Sequence, residues 1–504
     1  MVSLLTLDHI HVFHSGGEVL KDISLRVAEG EHWAITGSSG SGKTTLLDTT
    51  AGKHGVRGGT VRHHYYERYL QMHPVSDPHF TYRNLLAEVS HQHHFRNRSN
   101  MTEFYYQQRF NSADVGEAVS VRDYLMGEGA FSDKIWDVVR DLQLEHLLDR
   151  SLIMLSNGET RRLMFASALV KEPRLLLLDA PFTGLDVATR PYFHQLINGL
   201  ALSGITIIMA TTENEIPACV THVARLESGI LTGTWDREEF ERYRDAERVN
   251  AQQYRPLAPE PLLASLFQGP APEPFELAVR MRDVSVRYGD TQVLDKINWT
   301  VKHGERWVLS GPNGAGKSTL LSLINADNPQ AYANDLLLFD RQRGSGESIW
   351  DIKKKIGYVS PELHQYFRTA DTCLQVVLSG FFDTLGLIRK VSPGQQQQAR
   401  SWLKLLGLEA AENQAFRSSS LSVQRMTLIA RALIKRPALL ILDEPCQGMD
   451  DKQVQTIRNL LDAVCGMTVI YVSHYSEEIP VSVDLLLKLE KGKVVYSGAR
   501  EGVL

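Results

Sequence analysis

Two nine-residue segments carry the plainest chemistry in this chain, GSSGSGKTT at 37–45 and GPNGAGKST at 311–319. Each fits GxxxxGK[ST], follows an apolar run (HWAIT, RWVLS) and leads into a Leu-rich helical start, which is the strand–loop–helix setting that binds phosphate. The residue types explain why. Gly37, Gly40 and Gly42, like Gly311, Gly314 and Gly316, let backbone N–H groups close around phosphate oxygens, and Ser38, Thr45, Asn313 and Thr319 complete the two loops. Lys43 or Lys317 reaches the terminal phosphates, while the hydroxyl of Thr44 or Ser318 holds Mg2+. Asp179 and Asp443 each close an apolar run, LLLLD and LLILD, and such a run reads as a buried parallel strand. A carboxylate at its C-terminal edge can hold the water shell of Mg2+. Asp443 is followed by Glu444, able to position or deprotonate an attacking water, whereas Asp179 is followed by Ala180.

The elements that must position these groups occur twice. VLKDISLRVAEGEHWAITGSSGSGKTTLL (19–47) returns as VLDKINWTVKHGERWVLSGPNGAGKSTLL (293–321), with Lys43 and Lys317 274 residues apart. LLLLDAPFTGLD (175–186) returns as LLILDEPCQGMD (439–450), 264 residues on. A whole α/β domain has been duplicated, and a length of 504 residues suits two domains. The expected division is residues 1–236, a linker at 237–276, and residues 277–504. The first part of the linker, REEFERYRDAERVNAQQYR, has the composition of a solvated helix. The second, with Pro256, Pro259, Pro261, Pro270, Pro272 and Pro274, reads as an extended tether that lets one half swing over the other.

The net charge of −5 disfavours a general nucleic-acid binder. Cys219, Cys373, Cys446 and Cys465 show no metal-ligand spacing and read as core filler in a reducing compartment. No apolar run reaches the length of a membrane helix, and MVSLLTLDHIHVFHSGG lacks signal-peptide character. A cytoplasmic location is expected, peripheral at the inner face of the cell membrane if a partner recruits it there. The histidines at 63, 64, 73, 79, 91, 93 and 94 lack tight ligand spacing and read as a solvated or nucleotide-proximal surface, and QQQQ at 395–398 as a polar helix face or turn.

With LSNGE at 155–159, these motifs resemble the ATP-binding-cassette ATPases over most of the chain. The resemblance implies two P-loop nucleotide-binding domains, each with a mixed sheet core and a helical subdomain, using ATP and Mg2+. It implies that Ser156 and Gly158 contact the γ-phosphate of ATP held by the opposite domain. The two sites can then be graded. The second P-loop, with Lys317, Ser318 and Asp443, has Glu444 as base and His474 of YVSHYSEE at the family's switch position, and it faces LSNGE. Pro361 stands where the family's glutamine is expected, with Gln365 or Glu362 as substitutes; Tyr288 is the adenine-stacking aromatic. The first P-loop has Ala180 for the base and Thr212 for the histidine, and it faces SSLSV (419–423), where Ser420 alone matches the signature. Gln92 is the candidate glutamine there, and Phe13 or His14 the base-stacking residue. One site therefore reads as a hydrolytic motor and the other as a nucleotide-dependent clamp.

Within the family the two-cassette layout, Trp33 and Trp307 before the P-loops, and YANDLLLFDRQRGSGESIWDIKKKIGYVS (332–360) resemble the tandem branch associated with molybdate-transport operons. That branch usually keeps the glutamate that Ala180 replaces here, so an active first site is not carried over. It implies a transport-associated ATPase whose helical segments, around 95–150 and 362–418, face membrane permease subunits without direct membrane insertion. The alternatives are a tandem ATPase acting on ribosomes, disfavoured by the short, Pro-rich linker of mixed charge, and a non-catalytic ATP-dependent regulator.

Overall fold

The computed structural model describes every residue except 1, 15–16, 91–118, 128–130, 153–154, 156, 188, 252–259, 268–272, 290, 368, 465 and 501–504. Described residues up to Ala251 form one compact unit and those from Glu260 onward form another.

In the first unit a six-stranded sheet runs in the order Leu86–Val89, Leu175–Asp179, Thr206–Ala210, Trp33–Thr36, His222–Glu227, Ile230–Asp236. The pairs are parallel except the last, which is antiparallel. Alternation along each strand sends side chains to opposite faces. Trp33, Ile35, Leu175, Leu177 and Ile208 pack against a second, antiparallel sheet of Gly17–Ala28, Ser3–His14 and Gly58–His63. Ala34, Leu176, Leu178, Ile207 and Met209 pack on the other face among helices that include Val121–Met126, Asp133–Asp141 and Asn157–Leu169. A sheet covered on both faces accounts for the unbroken apolar runs of its central strands.

The second unit repeats this plan. Its sheet is ordered Ile356–Val359, Leu439–Asp443, Thr468–Val472, Arg306–Ser310, Leu485–Glu490, Lys493–Ala499, and its antiparallel sheet holds Thr291–Lys302, Leu277–Tyr288, Asp335–Leu338 and Arg341–Gln342. Trp307, Leu309, Leu439 and Ile441 face one core, Val308, Leu440 and Leu442 the other. The helical part, Cys373–Ser379, Pro393–Leu405 and Leu421–Leu433, closes around the fully buried Trp402 and Phe416. The glutamine run lies in the helix Pro393–Leu405, where Gln395 completes a capping box with Ser392 and the buried positions are Ala399, Trp402 and Leu403.

The first part of the linker is helical as its composition suggested, and the second departs from expectation. Arg237–Ala251 is helical, but its first turns are not merely solvated: Phe240 is fully buried, and Tyr243 stacks on Trp235 with centroids 4.7 Å apart. The Pro-rich part is not extended throughout, because Glu260–Phe267 is a helix whose Leu263 and Leu266 are buried in the second unit. Phe267 there meets the Trp402 ring edge-on at 5.6 Å. Apolar residues three apart on one helical turn were enough to dock each end. Among the described residues no helix is long and apolar enough to cross a membrane.

Candidate functional site

Both P-loops are shaped by glycines where nothing larger fits. A Cβ on Gly37 would lie 2.0 Å from the Leu226 carbonyl oxygen, and one on Gly311 2.3 Å from that of Leu489. Gly42 and Gly316 take left-handed φ values of 105° and 99° to open the helices Lys43–Thr50 and Lys317–Ile324, a conformation that costs a side-chain-bearing residue about 1–2 kcal/mol. Each ammonium folds back over its own loop. Lys43 Nζ donates to the carbonyls of Gly37 and Ser38, both at 2.8 Å, and Lys317 Nζ to those of Gly311 (2.7 Å) and Pro312 (3.1 Å). In the first unit Thr44 Oγ1 donates to the Asp179 carboxylate at 3.1 and 3.3 Å. Ser318, its counterpart, is exposed beside the buried Lys317.

At the strand ends the two units share a backbone and differ in side chains. Ala180 and Glu444 both have positive φ, 46° and 47°, and their N–H groups donate to Ala210 and Val472 at 2.9 Å in each case. Only in the second unit does a carboxylate follow. His474 Nε2 lies 3.2 Å from Glu444 Oε1, a close charge contact not aligned as a hydrogen bond. Burial works to raise the Glu444 pKa, but His474, Lys317 and Arg425 outweigh it and hold the carboxyl below its ordinary value. Asp443 goes the other way: burial, then the charges of Glu362 and Glu444, push its carboxyl well up against the pull of Lys317 and Arg425. In the first unit Thr212 Oγ1 donates to Glu215 Oε2 at 3.4 Å, and Ala180 offers no carboxylate where Glu444 stands.

The equivalent arginines Arg161 and Arg425 brace these loops from below. Arg161 donates to the Ser90 and Thr183 carbonyls at 2.7 and 3.2 Å, Arg425 to that of Glu444 at 2.9 Å, and burial lowers each to about 10. The sequence reading missed both, although their shared 264-residue spacing could have found them.

Pro361 opens the helix Pro361–Tyr366, capped by Ser360 Oγ accepting from the Leu363 N–H at 3.1 Å. Pairing of Val359 with Leu442 brings this turn to the edge beside Asp443, and the charge of Glu362 acts on Asp443. Of the two substitutes, Glu362 is the one whose side chain is described. The side chain of Gln365, like Gln92, lies outside the described residues.

The signature positions diverge physically as well as in sequence. Gly158 sits in the first turn of Asn157–Leu169, and a Cβ there would touch only Thr189, at 3.5 Å; Ser156 lies outside the described residues. In the second unit Ser420 caps Leu421–Leu433, its hydroxyl accepting from the Val423 N–H at 3.4 Å. Ser422, at the position of Gly158, is fully buried and accepts from Gln453 Nε2 at 3.2 Å.

Strand register separates Phe13 from His14. His14 pairs with Gly17 as Tyr288 pairs with Thr291, so His14 is the positional counterpart of Tyr288. Phe13 instead lies under the Arg57 guanidinium, 5.0 Å from its ring centre. One further device is confined to the first P-loop: Ser38 donates through Oγ (2.5 Å) and N–H (3.3 Å) to Glu227, which Arg225 joins to Tyr243 of the linker helix. Pro312 at the corresponding place has neither donor.

The donor sets fit Mg2+. Among the described residues no three His, Cys, Asp or Glu side chains form a metal cage, and Mg2+ asks for no such cage: it keeps several waters and takes one or two carboxylates with substrate phosphates. The Thr44–Asp179 contact places a hydroxyl and a carboxylate together at one loop, and Asp443 lies within reach of the charges of Glu362 and Glu444 at the other. Of the histidines at 63, 64, 73 and 79, His63 stacks on Tyr82 at 3.9 Å and burial lowers it to about 4; His91, His93 and His94 lie outside the described residues. Cys373 and Cys446 are buried and Cys219 half-buried, with Cys465 outside the described residues.

Residues 20–183 and 294–447 match the ABC transporter family. The chain is 38% identical to the ABC transporter ATP-binding protein ModF of Escherichia coli over 91% of each chain. It is 31% identical to an uncharacterized ABC transporter ATP-binding protein of Schizosaccharomyces pombe over 95% of this chain and 96% of the other. Among solved structures, the complex of archaeal ribosomal stalk protein aP1 with the ribosome recycling factor aABCE1 aligns with a TM-score of 0.55, covering 98% of this chain and 90% of that one. At 17% identity that likeness is one of fold alone.

Proposed function

This chain belongs to the ABC transporter family, as a tandem cassette ATPase, and we propose that it hydrolyses ATP mainly at the site that includes the second P-loop, using the first as a nucleotide-dependent clamp. The observation that carries this reading is the Glu444–His474 pair on a backbone that, at Ala180 and Thr212, holds no such pair.

In the second site the residues divide the work. Gly311, Asn313, Gly314, Gly316 and Thr319 present the loop's backbone to the phosphates, and Lys317 leaves its own carbonyls to neutralise them. Ser318 and Asp443 would hold Mg2+, which supplies charge neutralisation on the phosphate oxygens. Glu444, kept ionised by His474, Lys317 and Arg425, orients and deprotonates the attacking water. His474 lies 3.2 Å from that carboxylate and, by the family resemblance, would meet the transferred phosphoryl group. Tyr288 provides the wall for the base. From the family resemblance, Ser156 and Gly158 complete this site, while the first P-loop, with Gly37, Gly40, Gly42, Lys43, Thr44, Thr45 and Asp179, is completed by a signature that has lost its glycine.

The proposed setting is a transport system of the molybdate type, with permease subunits met through the helical segments, at the cytoplasmic face of the membrane. It is supported by the second-half sequence pattern and the Escherichia coli relative. Glu444→Gln tests both levels. ATPase activity should collapse, and the ATP-trapped protein should copurify with permease subunits; unchanged activity refutes the site assignment, and recovery of ribosomal proteins refutes the transport setting.

A further inference from the structure

The two nucleotide cradles differ at a place no catalytic residue touches. In the second unit Asn328 Nδ2 donates to Tyr288 Oη at 2.9 Å and to Ser322 Oγ at 3.2 Å. This hydrogen-bonded trio is neutral, since burial pushes the Tyr288 hydroxyl up to about 12. In the first unit the 274-residue spacing that relates His14 to Tyr288 also relates His54 to Asn328 and Asp48 to Ser322. The rings of His14 and His54 meet edge to face with centroids 4.6 Å apart, and His54 Nε2 lies 3.7 Å from Asp48 Oδ2. A phenol, an amide and a hydroxyl are thus replaced by two imidazoles and a carboxylate.

A Cβ on Gly42 would lie 2.8 Å from the Leu20 side chain and 3.6 Å from the Val19 carbonyl, so the strand that pairs with His14 runs against the P-loop. His54 follows the P-loop helix Lys43–Thr50, on which Asp48 sits.

We propose that the first P-loop takes up a proton on the His14–His54 pair when it binds nucleotide, so that affinity at the first site varies with pH through groups that the second cradle replaces with Tyr288 and Asn328. The proposal rests on the reading that the first cradle holds a nucleotide. Histidine changes charge between about pH 5 and 8. The surrounding charges set the balance. Lys53 donates to Asp48 at 3.0 Å and reaches Glu88 at 2.6 Å, opposing added positive charge near His54. The Arg57 guanidinium over Phe13 does the same beside His14, and Glu18 is taken up by His11 at 2.7 Å. Bound phosphates supply the missing negative charge, and a protonated ring also attracts the face of a purine. The protonated pair therefore binds the polyanion more tightly, and affinity falls as pH rises.

The test uses the full chain carrying Lys317→Ala, which weakens the second cradle, titrated calorimetrically with Mg2+-ADP at pH 6 and pH 8. Binding should be about fivefold tighter or more at the lower pH, with heats that vary with buffer ionisation as proton uptake requires. Adding His14→Tyr and His54→Asn, the pair the second unit carries, should flatten the profile while ADP still binds. The Lys43→Ala chain, reporting the second cradle, controls for titration of ADP itself. A pH profile unchanged by the two histidine substitutions, or matched by the Lys43→Ala chain, overturns the proposal alone. Failure of the Lys317→Ala chain to bind ADP at any pH, with the Lys43→Ala chain still binding, overturns the clamp reading and the proposal together.

Discussion

The two units share a backbone at the strand ends and differ in the side chains it carries. Ala180 keeps the left-handed φ of Glu444 to within a degree, and the same strand-end hydrogen bond, though it carries no functional group. The turn is therefore required by the fold, and the carboxylate was a separate addition to it or loss from it. The signature positions tell the same story: Ser422 occupies the place of Gly158 in an equivalent helix, but its hydroxyl is buried and engaged by Gln453. Architecture tolerates loss of catalytic groups because the groups contribute little to the packing that holds the strand ends.

The comparison is most directly broken at Glu444. Glu444→Gln should lower steady-state ATPase turnover by about 10²–10⁴-fold, the range for removing a general base, and activity near the parent's would show that the units are not chemically distinct. Next in size, Trp402→Ala and Phe165→Ala should each destabilise their own unit by about 3–5 kcal/mol, read as a lowered urea midpoint. Both side chains are fully buried, and a marked inequality would deny that the two folds are equivalent frameworks. Grafting the missing pair with Ala180→Glu and Thr212→His should raise turnover by less than about twofold, because general acid–base groups act only within a completed site and Ser422 still lacks the signature glycine. A large gain would move the defect from the signature to the base. The smallest effect is expected of Ala180→Gly, which should stabilise the first unit by up to about 1 kcal/mol in thermal unfolding by relieving the left-handed turn.

Much of this was legible without coordinates. The strands before the P-loops and the apolar runs ending in Asp179 and Asp443 stand where period and spacing put them. The docking of the linker was missed because charged residues dominate its first part, while docking depends on few apolar ones: Phe240 and Tyr243 share a face three residues apart. Prolines masked the helix Glu260–Phe267 in the same way, Leu263 and Leu266 being the three-residue spacing that mattered. Between Phe13 and His14, register against Gly17 agrees with the 274-residue spacing in matching His14 to Tyr288.

The sequence by itself determined the duplication, the two phosphate cradles and the presence of one glutamate–histidine set, because each is written in residues adjacent along the chain and in a repeat that labels its own equivalents. Tertiary structure decided that Glu362 acts on Asp443, that Ser422 is buried, that Glu227 ties the first P-loop to the linker helix, and that His14 meets His54. Those contacts join segments tens to hundreds of residues apart, and their geometry follows from sheet register and core packing, which no local pattern encodes.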